Sequence, residues 1–292
     1  MGFSAKNLRI YLEERLEKDV KSHYSSREID TMLLWLLEHI VQITQVDILL
    51  NKEVDLSDSQ QKDLTQAIQR LNQEEPIQYI IGEAEFYGRP FLVNPSVLIP
   101  RHETEELVHY IIKENQNTPN LQILDIGTGS GCIAITLAKE LKQAEVWAID
   151  YSEDALLTAK QNAFLLNASV NFQHQNILKS SFKENAFTIV VSNPPYVLKS
   201  EAATMRQNVL QYEPASALFV EDANPLLFYR RISELCRQIL KPAGRLYFET
   251  NERYASEVAS IMERQQFNGI SIRTDMQSKN RFVTGYKPIN KE

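Results

Sequence analysis

The feature that most constrains the fold is a regular alternation of strand-like and helix-like segments that begins after Pro119. Runs of β-branched and other apolar residues recur between stretches with helical spacing of apolar side chains. The predicted strands are 121–126, 144–149, 170–174, 189–192, 245–250, 269–274 and 281–286, and the predicted helices between them are 132–141, 152–167, 224–240 and 254–265. Helices that connect parallel strands cover both faces of a sheet. The chain therefore predicts an α/β fold with a mostly parallel sheet.

A glycine-rich loop, residues 127–131 with the sequence Gly-Thr-Gly-Ser-Gly, follows the first predicted strand. Asp150 ends the next strand, 23 residues after Gly127. A strand, a glycine loop, a helix and then an acid at the end of the next strand are typical of nucleoside-binding α/β folds. The glycines let the backbone approach a ligand, and the acid can accept hydrogen bonds from ribose hydroxyls. The spacing Gly-x-Gly-x-Gly suits S-adenosylmethionine better than a dinucleotide, although a purely structural turn is the alternative.

The fourth strand ends in the tetrapeptide Asn193-Pro194-Pro195-Tyr196, which we call the Asn-Pro-Pro-Tyr segment. Two prolines must stop the strand, so Asn193 lies at the carboxyl edge of the sheet, where ligands bind in open α/β folds. The Asn193 side-chain oxygen and the Pro194 carbonyl can both accept hydrogen bonds from one planar NH2 group, and Tyr196 can stack on its plane. The segment predicts a site for an amide or an exocyclic base amine, with catalysis by positioning.

The chain before the α/β region divides into two parts. Residues 1–75 have helical spacing and form a predicted helical domain, either a packing cap or a surface that recognises a protein substrate. Residues 76–100 predict a β-hairpin linker, and 101–292 the main domain. The acids after Arg101 fit simple capping of a helix, while the alternative is that Arg101 and Glu103 line the site.

Charge and cysteine usage narrow the function classes. The net charge is −7, and residues 1–75 carry nine Lys and Arg against fourteen Asp and Glu, which disfavours a protein that clamps nucleic acid. Cys132 and Cys236 cannot build a disulfide framework, and packing is favoured over a reactive thiolate for Cys132. No metal site is expected from the histidine and cysteine spacing. Without a signal-like or membrane-spanning apolar run, we expect a cytoplasmic monomer.

Four motifs in this order resemble the release-factor glutamine methyltransferases, the PrmC or HemK family. They are Ile99-Pro100-Arg101-x-Glu103-Thr104-Glu105, Leu124-Asp125-Ile126 with the glycine loop, the Asn-Pro-Pro-Tyr segment, and Tyr212-Glu213-Pro214. The resemblance covers nearly the whole chain. It implies a helical amino-terminal domain, a hairpin linker and a seven-stranded Rossmann-like domain that uses S-adenosylmethionine and has an antiparallel final strand. It also implies the substrate, the glutamine of the Gly-Gly-Gln motif in peptide-chain release factors.

Site residues follow from the same resemblance. The cofactor residues implied are Gly127, Thr128, Gly129, Ser130, Gly131, Asp150, Asn176, Ile177 and Asn193. The substrate residues implied are Asn193, Pro194, Pro195 and Tyr196, of which Asn193, Pro194 and Tyr196 are catalytic. Asn176 stands where the family usually has Asp, and His102 and Glu249-Thr250-Asn251 also depart from the family pattern.

Two other functions compete with this prediction. An adenine amino methyltransferase acting on DNA or RNA would use the same tetrapeptide, but it needs a basic face and a flipped base. A catalytically silent adaptor would keep the fold without the chemistry. The intact glycine loop, Asp150 and Asn193 argue against the adaptor.

Overall fold

The computed structural model of the chain describes residues 2–289, apart from the side chain of Asp19. The chain forms two compact units, the first made of residues 2–83 and 206–212 and the second of 84–205 and 213–289. Residues up to 83 of the segment predicted as a linker join the first unit, and the remainder joins the second. The recognition role predicted for 1–75 stays a prediction.

The first unit is helical. Its elements are β1 (Gly2–Ser4), α1 (Ala5–Glu14), α2 (Lys18–His23), α3 (Ser26–Leu36), a π-helical turn (Leu37–Val41), α4 (Gln45–Leu49), β2 (Glu53–Asp55), α5 (Asp58–Asn72) and α6 (Ile77–Ile81). The capping box at the start of α5 has Ser57 Oγ accepting from the Gln60 N–H at 3.2 Å and Gln60 Oε1 accepting from the Ser57 N–H at 3.0 Å. The apolar faces of α1, α3 and α5 meet in one core.

Residues 206–212 belong to the first unit because their side chains bond to it. Asn208 Nδ2 donates to Tyr24 Oη at 3.2 Å, and Tyr212 Oη donates to the Gln73 carbonyl at 2.9 Å. This segment, far along the chain, therefore adds to a helical unit that is otherwise continuous in sequence.

The second unit contains the α/β elements. In chain order these are β3 (Glu83–Phe86), β4 (Arg89–Leu92), α7 (His102–Asn115), β5 (Gln122–Ile126), α8 (Cys132–Glu140), β6 (Glu145–Asp150), α9 (Glu153–Leu165), β7 (Asn171–His174), β8 (Phe187–Ser192), β9 (Val197–Leu198), a 3-10 turn (Lys199–Thr204), α10 (Gln207–Tyr212, in the first unit), α11 (Ala215–Leu218), β10 (Phe219–Val220), α12 (Leu227–Ile239), β11 (Leu240–Glu249), a 3-10 turn (Glu252–Tyr254), α13 (Ala255–Arg264), β12 (Asn268–Thr274) and β13 (Asn280–Tyr286).

A seven-stranded sheet forms the centre of this unit, with strand order β12-β13-β11-β8-β5-β6-β7. The neighbours β11-β8, β8-β5, β5-β6 and β6-β7 are parallel, whereas β13 is antiparallel to both β11 and β12. The predicted α/β fold with an antiparallel final strand is confirmed. Strands β6 and β7 extend the sheet on one side of β5 and β8 extends it on the other, so the strand order reverses between β5 and β8.

Helices cover both faces of the sheet, because its central strands are apolar on both sides. Ile123 and Val191 pack into one buried cluster with α7 and α8, while Leu124 and Val190 pack into a second with α12 and α13. Strand residues buried on alternate faces explain why the predicted strands are continuous apolar runs instead of alternating patterns.

Two local features refine the prediction. The predicted hairpin is present as β3 and β4, joined through Tyr87 and Gly88 with φ of 52° and 69°, as a primed two-residue turn requires. The turn predicted at 242–244 lies inside β11 as a bulge, since β11 starts at Leu240, its pairing with β8 resumes only at Arg245, and Ala243 has a φ of 63°. The stretch stays paired because the Ala243 N–H donates to the Lys287 carbonyl at 2.9 Å.

No helix within residues 2–289 is long and apolar enough to cross a bilayer.

Candidate active site

Strand register brings the predicted site residues to one edge of the sheet. Ile126 at the end of β5 pairs with Ser192 of β8 on one side and with Ile149 of β6 on the other. The residues that follow, Gly127 and Asn193, therefore leave adjacent strands side by side, with Asp150 next to them. This is the point where the strand order reverses, which is where open α/β sheets form a ligand crevice.

A cavity of about 380 Å3 opens at this edge. Eight of the predicted site residues line it: Gly127, Gly129, Asp150, Asn176, Ile177, Asn193, Pro194 and Pro195. The other four, Thr128, Ser130, Gly131 and Tyr196, lie outside its lining. The structure thus places the glycine loop and the Asn-Pro-Pro-Tyr segment on one cavity, while part of each motif supports it from behind.

The three glycines of the loop have different surroundings. All adopt left-handed φ, and a Cβ on Gly127 or Gly129 would meet no atom within 4 Å. A Cβ on Gly131 would lie 2.9 Å from Ile135 Cδ1 and 3.2 Å from Ala159 Cβ. The first two glycines therefore leave room for a ligand against the backbone, whereas Gly131 allows α8 and α9 to pack closely.

Asp150 joins the loop to the start of α9. Its carboxylate accepts from the Gly129 N–H and from the Ser152 N–H, both at 2.9 Å. Burial raises the pKa of this carboxyl, and the backbone N–H donors oppose the rise. Since each carboxylate oxygen can accept more than one hydrogen bond, Asp150 keeps capacity for the hydroxyls of a ligand in the cavity.

Behind the loop lies Asp125, a fully buried acid. Thr128 Oγ1 donates to its carboxylate at 2.6 Å. Burial raises the pKa of Asp125 to about 7, and the nearby Asp150 charge adds to the rise. Ser130 is also buried, and its carbonyl accepts from Asn162 Nδ2 at 2.9 Å. Thr128 and Ser130 therefore hold the shape of the loop from the protein side.

The Asn193 side chain is fixed by two other elements. Its Nδ2 donates to Thr104 Oγ1 at 3.3 Å, and Thr104 Oγ1 donates to Glu249 Oε2 at 2.7 Å. Thr104 lies in the first turn of α7, and Glu249 is the last residue of β11. The same Asn193 amide lines the cavity, so its oxygen is the end left for a ligand.

Pro194 and Tyr196, the second and fourth residues of the tetrapeptide, have different surroundings. Pro194 is buried and lines the cavity, whereas Tyr196 is half-buried and packs its ring against the apolar cluster beneath α12. Burial raises the pKa of Tyr196 to about 12, so its phenol is neutral at physiological pH. A phenol in this state can support the segment but does not serve as a base.

Asn176 and Ile177 follow β7 and line the far side of the cavity. Asn176 Oδ1 accepts from the Leu178 N–H at 2.9 Å, and the Ile177 carbonyl accepts from Arg231 Nε at 3.1 Å. The apolar Ile177 side chain and the Asn176 amide are suited to the plane and the edge of a heterocyclic ring.

Arg101 and Glu103 do not line the cavity. Arg101 instead forms an ion pair with the buried Glu213, which also accepts from the Ile99 N–H at 3.3 Å. This ion pair connects the segment before α7 to the segment that begins α11. Both segments contribute to the cavity lining, and sequence reasoning missed these residues: Ser96, Val97, Leu98, Ser216 and Ala217. The Tyr-Glu-Pro motif was the available signal, although it gave no indication of its partner.

Two further walls come from Phe228 and Ile232 of α12. Their helical spacing gave no signal beyond ordinary core packing.

Cys132 is buried, which raises the pKa of its thiol to about 12 and makes it a packing residue. Within residues 2–289, no group of three or more His, Cys, Asp or Glu is arranged to hold a metal ion.

Two family models match the chain. Residues 117–284 match a methyltransferase domain, and residues 12–82 match the PrmC N-terminal domain. The first match contains every predicted site residue, and the second covers most of the first structural unit.

Curated relatives match almost end to end. The release factor glutamine methyltransferase of Flavobacterium psychrophilum is 44% identical over 90% of this chain and 93% of its own length. That of Bacteroides thetaiotaomicron is 43% identical over 92% of this chain and 96% of its own length. Among solved structures, the 16S rRNA N2 G1207 methyltransferase of T. thermophilus, in complex with AdoMet and guanosine, has a TM-score of 0.50 at 16% identity over 70% of this chain and 49% of that one. That structural likeness concerns the fold alone.

Proposed function

The chain belongs to the release factor glutamine methyltransferase family, and from this premise we propose which reaction its cavity performs. The chain is a methyltransferase. The reaction is transfer of a methyl group from S-adenosylmethionine to the side-chain amide nitrogen of the glutamine in the Gly-Gly-Gln motif of peptide-chain release factors. The observation that carries the proposal is that one cavity is lined by the glycine loop, Asp150 and the Asn193-Pro194 pair.

The cofactor side of the cavity fits S-adenosylmethionine. Open space against Gly127 and Gly129 admits a ligand close to the backbone, and the Asp150 carboxylate can accept from ribose hydroxyls. Ile177 and Asn176 offer an apolar face and an amide to the adenine. When bound, S-adenosylmethionine supplies an electrophilic methyl group on a sulfonium sulfur that leaves with the bonding electron pair.

The substrate side fits a primary amide. An amide NH2 has two hydrogens in one plane, and the Asn193 oxygen and the Pro194 carbonyl can accept one each. Holding both hydrogens fixes the rotation of the amide and directs the weak nitrogen lone pair toward the methyl group. Alignment of this kind lowers the barrier without a covalent intermediate. Pro195 shapes the turn. Tyr196, predicted to stack on the amide, lies outside the cavity lining and packs against the apolar cluster, so in this proposal it supports the segment from the protein side.

The same two acceptors stabilise the charge that develops during transfer. As the nitrogen bonds to carbon it becomes positive, and its hydrogens become more acidic. The Asn193 and Pro194 oxygens are preorganised dipoles whose hydrogen bonds strengthen at that moment. Once the N–C bond is made and the product leaves its two acceptors, one of the two N–H protons is lost to solvent, which leaves a neutral methylated amide. No side-chain base is required.

A protein substrate is favoured over nucleic acid by charge. Residues 1–75 carry a net charge of −5, which opposes a polyanion and suits a partner with basic surface. We further propose that the enzyme acts as a monomer and without nucleic acid.

The test is transfer of labelled methyl from S-adenosylmethionine to three substrates offered separately: a release factor, duplex DNA and RNA. A release factor whose Gly-Gly-Gln glutamine is replaced by alanine is the matched control. We expect label only in the intact release factor, with the methyl located on the glutamine amide by mass spectrometry. Label in nucleic acid alone would establish the adenine methyltransferase instead, and cofactor binding without any labelled substrate would indicate an adaptor.

A further inference from the structure

The Asn193 amide is the last member of a three-residue chain of hydrogen bonds. Glu249 Oε2 accepts from Thr104 Oγ1 at 2.7 Å, and Thr104 Oγ1 accepts from Asn193 Nδ2 at 3.3 Å. Glu249 is 1% exposed and Thr104 3% exposed, so water does not compete for the hydrogen bonds of these two side chains. The three residues come from β11, α7 and the end of β8, and the chain of bonds crosses from the protein interior to the cavity.

Counting donors fixes the direction of these bonds. A hydroxyl has one proton, and an ionised carboxylate has none to give. When Glu249 is ionised, the proton of Thr104 therefore points to Glu249, and the Thr104 oxygen is left only as an acceptor toward Asn193. An asparagine amide has ends of nearly equal shape, one a donor and the other an acceptor. Only the NH2 end can face Thr104, which leaves Oδ1 as the end available to a ligand.

We propose that Glu249 and Thr104 are positioning residues that hold the Asn193 amide with its oxygen toward the substrate NH2 group. This inference rests on the proposed function, because only a substrate that donates N–H bonds needs that orientation. If the amide turned over, two NH2 groups would face each other, and the substrate nitrogen would lose one of its two acceptors. A buried acid that touches neither substrate nor cofactor thus acquires a role in the reaction.

The protonation state of Glu249 should govern the same orientation. Burial raises the pKa of Glu249 to about 7, the Thr104 hydrogen bond and the charges of Arg281 and Arg101 oppose the rise, and Glu103 adds to it. Arg101 and Glu103 face it from the start of α7 and Arg281 from β13, while Tyr229 of α12 donates to its backbone carbonyl at 3.2 Å. A protonated Glu249 can donate to Thr104, which frees the Thr104 proton to turn toward Asn193 and reverse the amide.

A purely structural role for the same contacts makes different predictions. Thr104 and Glu249 also connect α7 to the sheet, so their loss could lower stability alone. A structural role would affect cofactor binding, substrate binding and turnover together. A positioning role affects turnover selectively and changes its pH dependence.

The deciding experiment compares Thr104→Val, which keeps the shape but removes the hydroxyl, with Thr104→Ser, which keeps the hydroxyl. Turnover of the release factor, its KM and the Kd for S-adenosylmethionine are measured for both. We expect kcat of Thr104→Val to fall at least about tenfold, less than the 10²- to 10³-fold typical of losing a direct transition-state contact. KM and Kd should change less than about threefold, and Thr104→Ser should recover most of the lost kcat. Equal kcat values for the two variants would overturn the proposal.

The pH profile of kcat gives a second and independent measure. In the wild-type enzyme kcat should fall as the pH drops below about 7, as Glu249 takes up a proton. Glu249→Gln carries no titratable proton, so that decline should disappear, and Thr104→Val should lose it as well. A decline that persists unchanged in Glu249→Gln would overturn the proposal, even if Thr104→Val did not fold.

Failure of this inference is distinct from failure of the proposed function. If the wild-type enzyme puts no methyl into the release factor, the function is wrong. If the wild-type enzyme is active and Thr104→Val matches it, the function stands and the positioning role is wrong.

Discussion

The glycine loop and the Asn-Pro-Pro-Tyr segment meet in one cavity, yet they are held in different ways. In the loop, the Gly131 N–H donates to the Thr128 carbonyl at 2.9 Å, and the Gly129 N–H reaches Asp150, 21 residues further along the chain. Asn193 depends on Thr104, 89 residues away, and Thr104 in turn on Glu249, 145 residues away. Contacts between residues closer in sequence shape the proposed cofactor side, whereas contacts between side chains far apart in sequence shape the proposed substrate side.

Because of this difference, we expect substitutions in the two halves of the site to affect turnover and cofactor binding independently. A change on the substrate side should remove chemistry and leave cofactor binding, while a change on the cofactor side should do the reverse. Variants that affect both quantities together would show that the comparison is wrong.

The largest effect is expected for Asn193→Ala. The substitution removes an acceptor for the substrate amide, so kcat should fall by about 10²- to 10³-fold, as for loss of other preorganised groups. The Kd for S-adenosylmethionine should stay within about tenfold of the wild-type value, because the main bonds of Asn193 are to the substrate. Labelled-methyl transfer and calorimetric titration measure the two quantities. A variant with wild-type turnover would refute the role of Asn193.

A smaller effect is expected for Asp150→Ala, and it should change cofactor affinity instead of turnover. Loss of a charged acceptor costs roughly 1.5–3 kcal/mol per hydrogen bond, so the Kd for S-adenosylmethionine should rise about 10- to 100-fold. At saturating cofactor, kcat should stay within a fewfold of the wild-type value. Asp154→Ala is the matched control, since Asp154 is an exposed acid in the first turn of α9, the helix that follows Asp150, and does not line the cavity. Equal affinities in the two variants would contradict the role of Asp150.

The smallest effect on turnover is expected at Asp125, where the pH dependence of stability changes instead. Its carboxyl has an ordinary pKa of 3.8 and a folded pKa of about 7. The folded chain therefore binds this proton more tightly than the unfolded chain does. The contribution of this proton to the free energy of unfolding is complete below pH 4 and is lost as the pH rises toward 7. Asp125→Asn stays neutral, so its stability relative to the wild type should increase by roughly 2–3 kcal/mol between pH 5 and pH 8.

Denaturant unfolding at several pH values, with Asp154→Asn as the exposed control, measures this difference. A free-energy gap between wild type and Asp125→Asn that does not vary with pH would contradict it. The result sharpens the comparison, because Asp125 belongs to the loop side and its substitution should leave the pH profile set by Glu249 unchanged.

Much of the fold could be predicted from local pattern. The apolar runs before Gly127, Asp150 and Asn193 are each a strand in the structure, because β-branched runs bounded by glycine, acid or proline have few other conformations in a folded chain. The strand predicted to begin at Arg245 instead begins at Leu240, because pairing of Ala243 with Lys287 keeps the bulged stretch in the sheet. Such a partner lies 44 residues along the chain and leaves no local signal.

The candidate site likewise contains residues that local sequence pattern could locate and residues that it could not. Gly127, Gly129, Asp150 and Asn193 could be located by motif and spacing, since each follows a strand that ends at the same edge. The Arg101–Glu213 ion pair and the walls from α11 and α12 could not, because they come from segments whose sequence is also consistent with ordinary capping and core packing.

The sequence by itself determined the order of the site motifs along the chain: a glycine loop, an acid and the Asn-Pro-Pro-Tyr segment, each at the end of a buried strand. Tertiary structure alone decided which way the Asn193 amide points. A motif can specify an asparagine, but the two ends of its side chain are told apart only by the groups they meet. Here those groups are a threonine from α7 and a buried acid from β11, brought together by the packing of the sheet.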